Sequence, residues 1–151
     1  MNPLFVVCED GDEYTQRFEK FLGSRFRFQR VPDGRSAEQV LQAGAVAGLL
    51  LDLDFRRTAP ELLLGEAGAP PHAPTPDERA RWSASQGILV LQHLRCRGLQ
   101  VPALLFADLD DREQVAFLEK AMAPLSIVSS REGLAQIAAR LQALAEGRQI
   151  P

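Results

Sequence analysis

Apolar residues along this chain fall into two alternating patterns. Leu4 to Cys8, residues 47–53, Val101 to Ala107 and Leu125 to Val128 are short runs with little polar alternation, as in strands buried on both faces of a sheet. Phe26 and Phe28 alternate with arginines and predict a half-exposed strand. Between these runs the spacing turns helical. Tyr14, Phe18, Phe21 and Leu22 share one face and stop at Gly23. After the Pro32-Asp33-Gly34 turn, Ser36 and Gln39 form a capping pattern for a helix with Val40 and Leu41 inward. Ile88, Leu91 and Leu94 mark a helix from Gly87 to Gly98, and Asp110 or Asp111 caps one carrying Val115, Leu118 and Met122. Ser129 and Glu132 form a second capping pattern before Leu134, Ile137, Ala138, Leu141 and Leu144.

The third apolar run ends in two acids, Leu49-Leu50-Leu51-Asp52-Leu53-Asp54. Strand residues alternate sides, so Asp52 and Asp54 share one if the strand runs that far. The pattern then breaks. Residues 58–85 are rich in proline, alanine and glycine, with Pro70-Pro71 and Pro74-Thr75-Pro76 at the centre. Two short helical pieces fit inside, around residues 60–64 and 76–84. A connection this long is usually functional or disordered. It starts four residues after Asp54, so it either lies beside that acid, reaches to a neighbour, or is a loose surface excursion.

The element order is βαβαβ, an insertion, then αβαβα. Such alternation implies an α/β fold: a doubly wound, five-stranded parallel sheet with helices on both faces, in the flavodoxin-like order 2-1-3-4-5. One domain is expected over residues 1–148, with 149–151 as a tail or the start of a linker. In that order the first and third strands are neighbours, and Glu9 and Asp10 would face Asp52 at their carboxyl ends.

Bulk properties narrow the chemistry. The chain has 151 residues, 46% of them hydrophobic and 25% charged, as expected of a soluble domain with a real core. A net charge of -3 argues against nucleic-acid binding by bulk electrostatics. No apolar run approaches a membrane span, and Met1-Asn2-Pro3-Leu4 lacks the basic segment of a signal peptide. Cys8 and Cys96, without metal-ligand spacing, read as free thiols in a cytoplasmic protein. His72 lies among prolines and His93 on an expected solvated helix face; neither has a metal partner in sequence.

The constellation resembles the receiver domain of bacterial response regulators, a CheY-like fold, over nearly the whole chain. Phe5-Val6-Val7-Cys8-Glu9-Asp10 looks like the family's first strand with its acidic pair. Leu50-Leu51-Asp52-Leu53-Asp54 looks like its third strand, Gly87 to Arg95 like the start of its third helix, and Val101 to Ala107 like its fourth strand. Asp110-Asp111-Arg112-Glu113 resembles the helix start that follows. The resemblance implies Asp52 as phosphoacceptor in a two-component phosphorelay. It also implies a Mg²⁺ ion held by Glu9, Asp10, Asp52 and the Asp54 carbonyl, since Mg²⁺ takes hard oxygen ligands.

Three family positions depart from the pattern. Ala107 stands where the family has a threonine or serine, Ser129 where it has a lysine followed by a proline (here Ser130), and Ser126 where it has a switching aromatic. The acid pocket is kept and the readout is lost, the pattern of an atypical, or pseudo-, receiver. With no lysine among Glu9, Asp10, Asp52, Asp54 and Asp108, some carboxyl pKa values should rise. Either a divalent ion relieves the crowding, or Arg56 and Arg57 fold back onto the acids.

The expected function is therefore a non-enzymatic signalling module acting through protein–protein contacts, with Mg²⁺ allowed and not required. A phosphorelay receiver using Asp52 is the alternative. A minor third reading is an Asp-x-Asp phosphatase, with Asp52 as nucleophile, Asp54 as acid/base and Thr58 after them. Expected partners are a histidine kinase, an effector domain or a second copy of the chain. Glu119, Arg131 and Gln142 lie on the face that receivers use for contacts, and Trp82 is either a packed core residue or an anchor for a partner.

Overall fold

The computed structural model describes residues 1–147; residues 149–151 of the expected tail lie outside them. Five parallel strands form one sheet in the order β2-β1-β3-β4-β5, as the alternation of elements predicts. They are β1 (Leu4–Cys8), β2 (Arg27–Val31), β3 (Gly48–Asp52), β4 (Ala103–Phe106) and β5 (Leu125–Val128). The helices are α1 (Glu13–Leu22), α2 (Gly34–Ala43), α3 (Pro76–Ala84), α4 (Gln86–Cys96), α5 (Arg112–Ala121) and α6 (Leu134–Ala145). The insertion contains a 3-10 turn at Pro60–Leu62 and then α3, where the two short helical pieces were expected.

Strand alternation splits the core in two. Val6, Cys8, Leu49, Leu51, Ala103 and Leu105 face one layer, with Val90, Leu91 and Leu94 of α4. Phe5, Val7, Leu50, Leu104 and Phe106 face the other, with Phe18 of α1 and Ile137 and Leu141 of α6. The period-two alternation thus sends successive residues of one apolar run to different helices.

The insertion is anchored, not loose. Leu63 and Leu64 are fully buried, and Leu64 joins the α4-side core. Gln86, at the first position of α4 and 1% exposed, fastens it: its side-chain oxygen accepts from the Leu64 N–H at 2.8 Å, and its amide donates to the carbonyls of Leu64 and Trp82. Trp82 is 4% exposed and packs with Leu63 and Leu89, so it is a core residue of the insertion and not an anchor presented to a partner. Thr75 and Glu78 form a reciprocal capping box at the start of α3.

Several local expectations change. Asp33, not Ser36, caps α2 and accepts from the Ser36 N–H. The capping pattern at Ser129 and Glu132 does not start α6, which begins at Leu134 after Gly133; Ser129 turns to Asp108 instead. Phe21 is exposed on α1, because the three residues that helix buries are Thr15, Phe18 and Leu22. His93 is not solvated: it meets Glu38 of α2 at 2.6 Å, with both side chains 16% exposed.

Candidate functional site

The sheet topology brings the carboxyl ends of β1 and β3 side by side, with Cys8 paired to Leu51. Glu9 and Asp10 leave β1 there, and Asp52 ends β3. Each acid has a different environment.

Glu9 is 2% exposed and turned under the start of α1. One oxygen accepts the Tyr14 N–H at 3.1 Å; the other accepts the Thr15 N–H at 2.8 Å and the Thr15 hydroxyl at 2.6 Å. These are unpaired donors of a helix N-terminus, where a carboxylate is favoured. Glu9 therefore acts as a buried helix cap.

Asp10 is held by Arg57, the residue just before the insertion. The Arg57 backbone N–H donates to one oxygen at 2.8 Å, and the Arg57 guanidinium donates to the other at 3.1 Å. The Asp10 side chain is 4% exposed. The same guanidinium lies 2.8 Å from a Glu13 oxygen, and that hydrogen bond is the main reason the Glu13 carboxyl is pulled down to about 2. Arg30, on β2, donates to the backbone carbonyls of Glu9, Asp10 and Gly11 and fixes the loop from below.

Asp52 is partly buried. One oxygen accepts the Leu53 N–H at 2.9 Å. Its pKa is pushed up to about 6, chiefly by loss of hydration, with the charges of Asp10, Glu9 and Asp54 adding to the rise. Tyr14 stacks on Phe106 at 4.9 Å beside it, and its hydroxyl pKa is raised to about 12, first by burial and then by Asp52. Asp54 meets Arg56 at 2.6 Å.

The folded pKa of Asp52 exceeds its ordinary 3.8, so the folded chain binds this proton more tightly than the unfolded chain. Its charge therefore destabilises the fold above pH 6, less so as pH falls towards 4. Discounting the full shift for solvent screening of a partly exposed group, Asp52→Asn should stabilise the chain by about 1–2 kcal/mol at neutral pH. Urea titrations at pH 7.5 and pH 4.5 check this: the gain should shrink at the lower pH, and an equal gain at both would contradict it.

At the carboxyl end of β5, Ser129 donates to Asp108 at 3.0 Å, and both the N–H and the hydroxyl of Ser130 also donate to it. The Asp108 carboxyl is held low, first by the Ser130 hydroxyl. Ala107 is 7% exposed beside this turn. Ser126 pairs with Leu104 in the sheet, partly buried. On the outer face Glu119 is turned inward, accepting the Ile127 N–H at 2.9 Å, while Arg131 is exposed and Gln142 donates to Glu146.

The donor set does not suit a hard divalent cation as it stands. Every carboxylate oxygen of Glu9 and Asp10 already accepts a hydrogen bond. Among the described residues, no group of three or more His, Cys, Asp or Glu is arranged to hold a metal.

No protein-family model and no curated protein sequence matches the chain. Solved structures do. The receiver domain of the Francisella response regulator 1452 aligns over 97% of this chain and 98% of its own, at 16% identity and a TM-score of 0.67. This chain has the receiver-domain fold. The receiver domain of a histidine kinase from Syntrophus aciditrophicus aligns over 96% of this chain and 91% of its own, at 15% identity and a TM-score of 0.63. That of a LuxO repressor protein from Vibrio parahaemolyticus gives 97%, 92%, 11% and 0.67.

Within the receiver fold, Glu9, Asp10 and Asp52 lie at the neighbouring carboxyl ends of β1 and β3, but the Glu9 carboxylate turns onto α1 and Arg57 meets Asp10. Sequence reading missed Arg30, Tyr14 and Gln86. Arg30 looked like one of the polar residues of an alternating strand, and Tyr14 like part of the α1 core stripe. Gln86, a polar residue just before an apolar helix, was the one detectable signal. Among the described residues, no helix is long and apolar enough to cross a membrane.

Proposed function

We propose that the chain is an atypical receiver, a signalling module that works through protein partners and without a phosphorylation switch. The observation that carries this is Arg57, which occupies both oxygens of Asp10 through its backbone and its guanidinium. One terminal nitrogen of the guanidinium meets both Asp10 and Glu13, and so brings a positive charge to the rim of the acid pocket. At the end of β5, Ser129, which the resemblance aligns with the family's lysine, and the following Ser130 both donate to Asp108. The similarly folded structures include receiver domains of a response regulator and of a histidine kinase, which supports a place in signalling.

Incubation with a small acyl phosphate and Mg²⁺, followed by intact-mass measurement and borohydride trapping, tests this. The expected result is no mass gain at Asp52. Stoichiometric labelling there, with a change in oligomeric state, would favour the second reading, a phosphorelay receiver. That reading draws support from Asp52 itself, which is partly exposed and has no ion-pair partner among the described residues. The Asp-x-Asp phosphatase reading gains none: Asp54 is tied to Arg56, and Thr58 is 7% exposed with its hydroxyl unpartnered.

A further inference from the structure

Helix α3 turns Trp82 into the core but leaves another face open. Pro76, Arg79, Ala80, Ser83 and Ala84 recur at the spacing of one helix face and line a cleft of about 550 Å³, closed on its other flank by Pro60 of the 3-10 turn and by Arg56. Small side chains on α3 keep the cleft open, and proline walls offer no backbone donors. Ser83 is 7% exposed, lines the cleft, and its hydroxyl has no hydrogen-bond partner among the described residues. Arg79 has no ion-pair partner among them either, and Arg56 is held only by Asp54, with its side chain 81% exposed.

An apolar cleft flanked by two guanidiniums suits a ligand with an apolar body and carboxylates. A bare phosphate would find no cradle of N–H groups, because Glu78 and Thr75 already cap α3. We propose that this cleft docks an acidic, apolar segment of a partner protein, with an apolar side chain over Ala80 and Ala84, a polar atom meeting Ser83, and carboxylates on Arg56 and Arg79. A carboxylate reaching Arg56 competes with Asp54, so docking is felt two residues from Asp52. The inference rests on the protein-interaction reading above and gives that reading a partner chemistry.

Three capped, fluorescein-labelled octapeptides, alternating leucine with glutamate, glutamine or lysine, serve as probes of the full chain by fluorescence anisotropy and ¹H–¹⁵N NMR. The glutamate peptide should bind, shift the amides of residues 79–84 and of Asp54, and weaken as salt is raised. Arg79→Ala should weaken it by about fivefold, as loss of one exposed charge pair implies. Ala80→Trp, which fills the cleft from an exposed helix position, should abolish it. Equal binding of the glutamine peptide, shifts confined elsewhere, no binding, or equal displacement by inorganic phosphate would overturn the proposal. No phosphodonor is present, so failure here leaves the unphosphorylated reading of Asp52 standing, and labelling of Asp52 would leave cleft binding intact.

Discussion

Replacing Trp82 with alanine should cost about 3–5 kcal/mol of stability and release the insertion from the domain. Trp82 is the largest side chain of the small core that it forms with Leu63 and Leu89, and its indole lies so close to Gly65 that a methyl group there would meet the ring at 2.8 Å. The loss should be read in two ways. Thermal unfolding should shift downwards, and limited proteolysis should cut within residues 58–75 at rates well above wild type. Trp82→Phe, which keeps most of the contact, should lose far less. A cost below about 1 kcal/mol for alanine would show that the indole is dispensable to the docking of the insertion.

A second large effect is expected at Gly87, in the first turn of α4. A methyl group there would sit 2.1 Å from the Asp52 carbonyl oxygen and 3.0 Å from the Leu53 Cα. Both are backbone atoms, so no rotamer change relieves the clash, and the Gly87 N–H also donates to the Leu53 carbonyl at 2.9 Å. Gly87→Ala should push α4 away from the end of β3 and cost about 3 kcal/mol or more, as a backbone overlap in a packed site does. Urea unfolding measures it. Gly44→Ala is the control, because a methyl group there meets nothing within 4 Å. Equal midpoints for the two variants would contradict the close approach.

What could be read in advance follows from which forces are local. The sheet and its order were legible because aliphatic runs such as Leu49-Leu50-Leu51 admit few burial patterns, and strict strand–helix alternation leaves one family of topologies. The convergence of Glu9, Asp10 and Asp52 followed from that order alone. The fate of Glu9 did not, since only tertiary packing shows its carboxylate turned onto the Tyr14 and Thr15 amides instead of towards Asp52. His93 departs from its expected solvated position for a similar reason. Its neighbours on α4 define a buried stripe, but Glu38 comes from another helix, 55 residues earlier. The insertion was the least legible part. Proline-rich composition suggests looseness, while its anchors, Leu63, Leu64, Trp82 and Gln86, are scattered and carry no period. Its two short helical pieces were foreseeable from local pattern, and so was the approach of Arg56 and Arg57 to the acids they follow so closely in sequence.

In the proposed reading, the contacts of Arg57 to both oxygens of Asp10 keep a divalent ion out of the acid pocket. Addition of millimolar Mg²⁺ to the ¹⁵N-labelled chain, followed by ¹H–¹⁵N NMR, tests it most directly. If Arg57 holds Asp10 in solution, the amides of Glu9, Asp10, Asp52, Leu53 and Arg57 keep their positions and show only the small, unsaturated drift of added salt. Saturable shifts centred on Asp10 and Asp52, with the Arg57 amide moving as its hydrogen bond to Asp10 breaks, would contradict it.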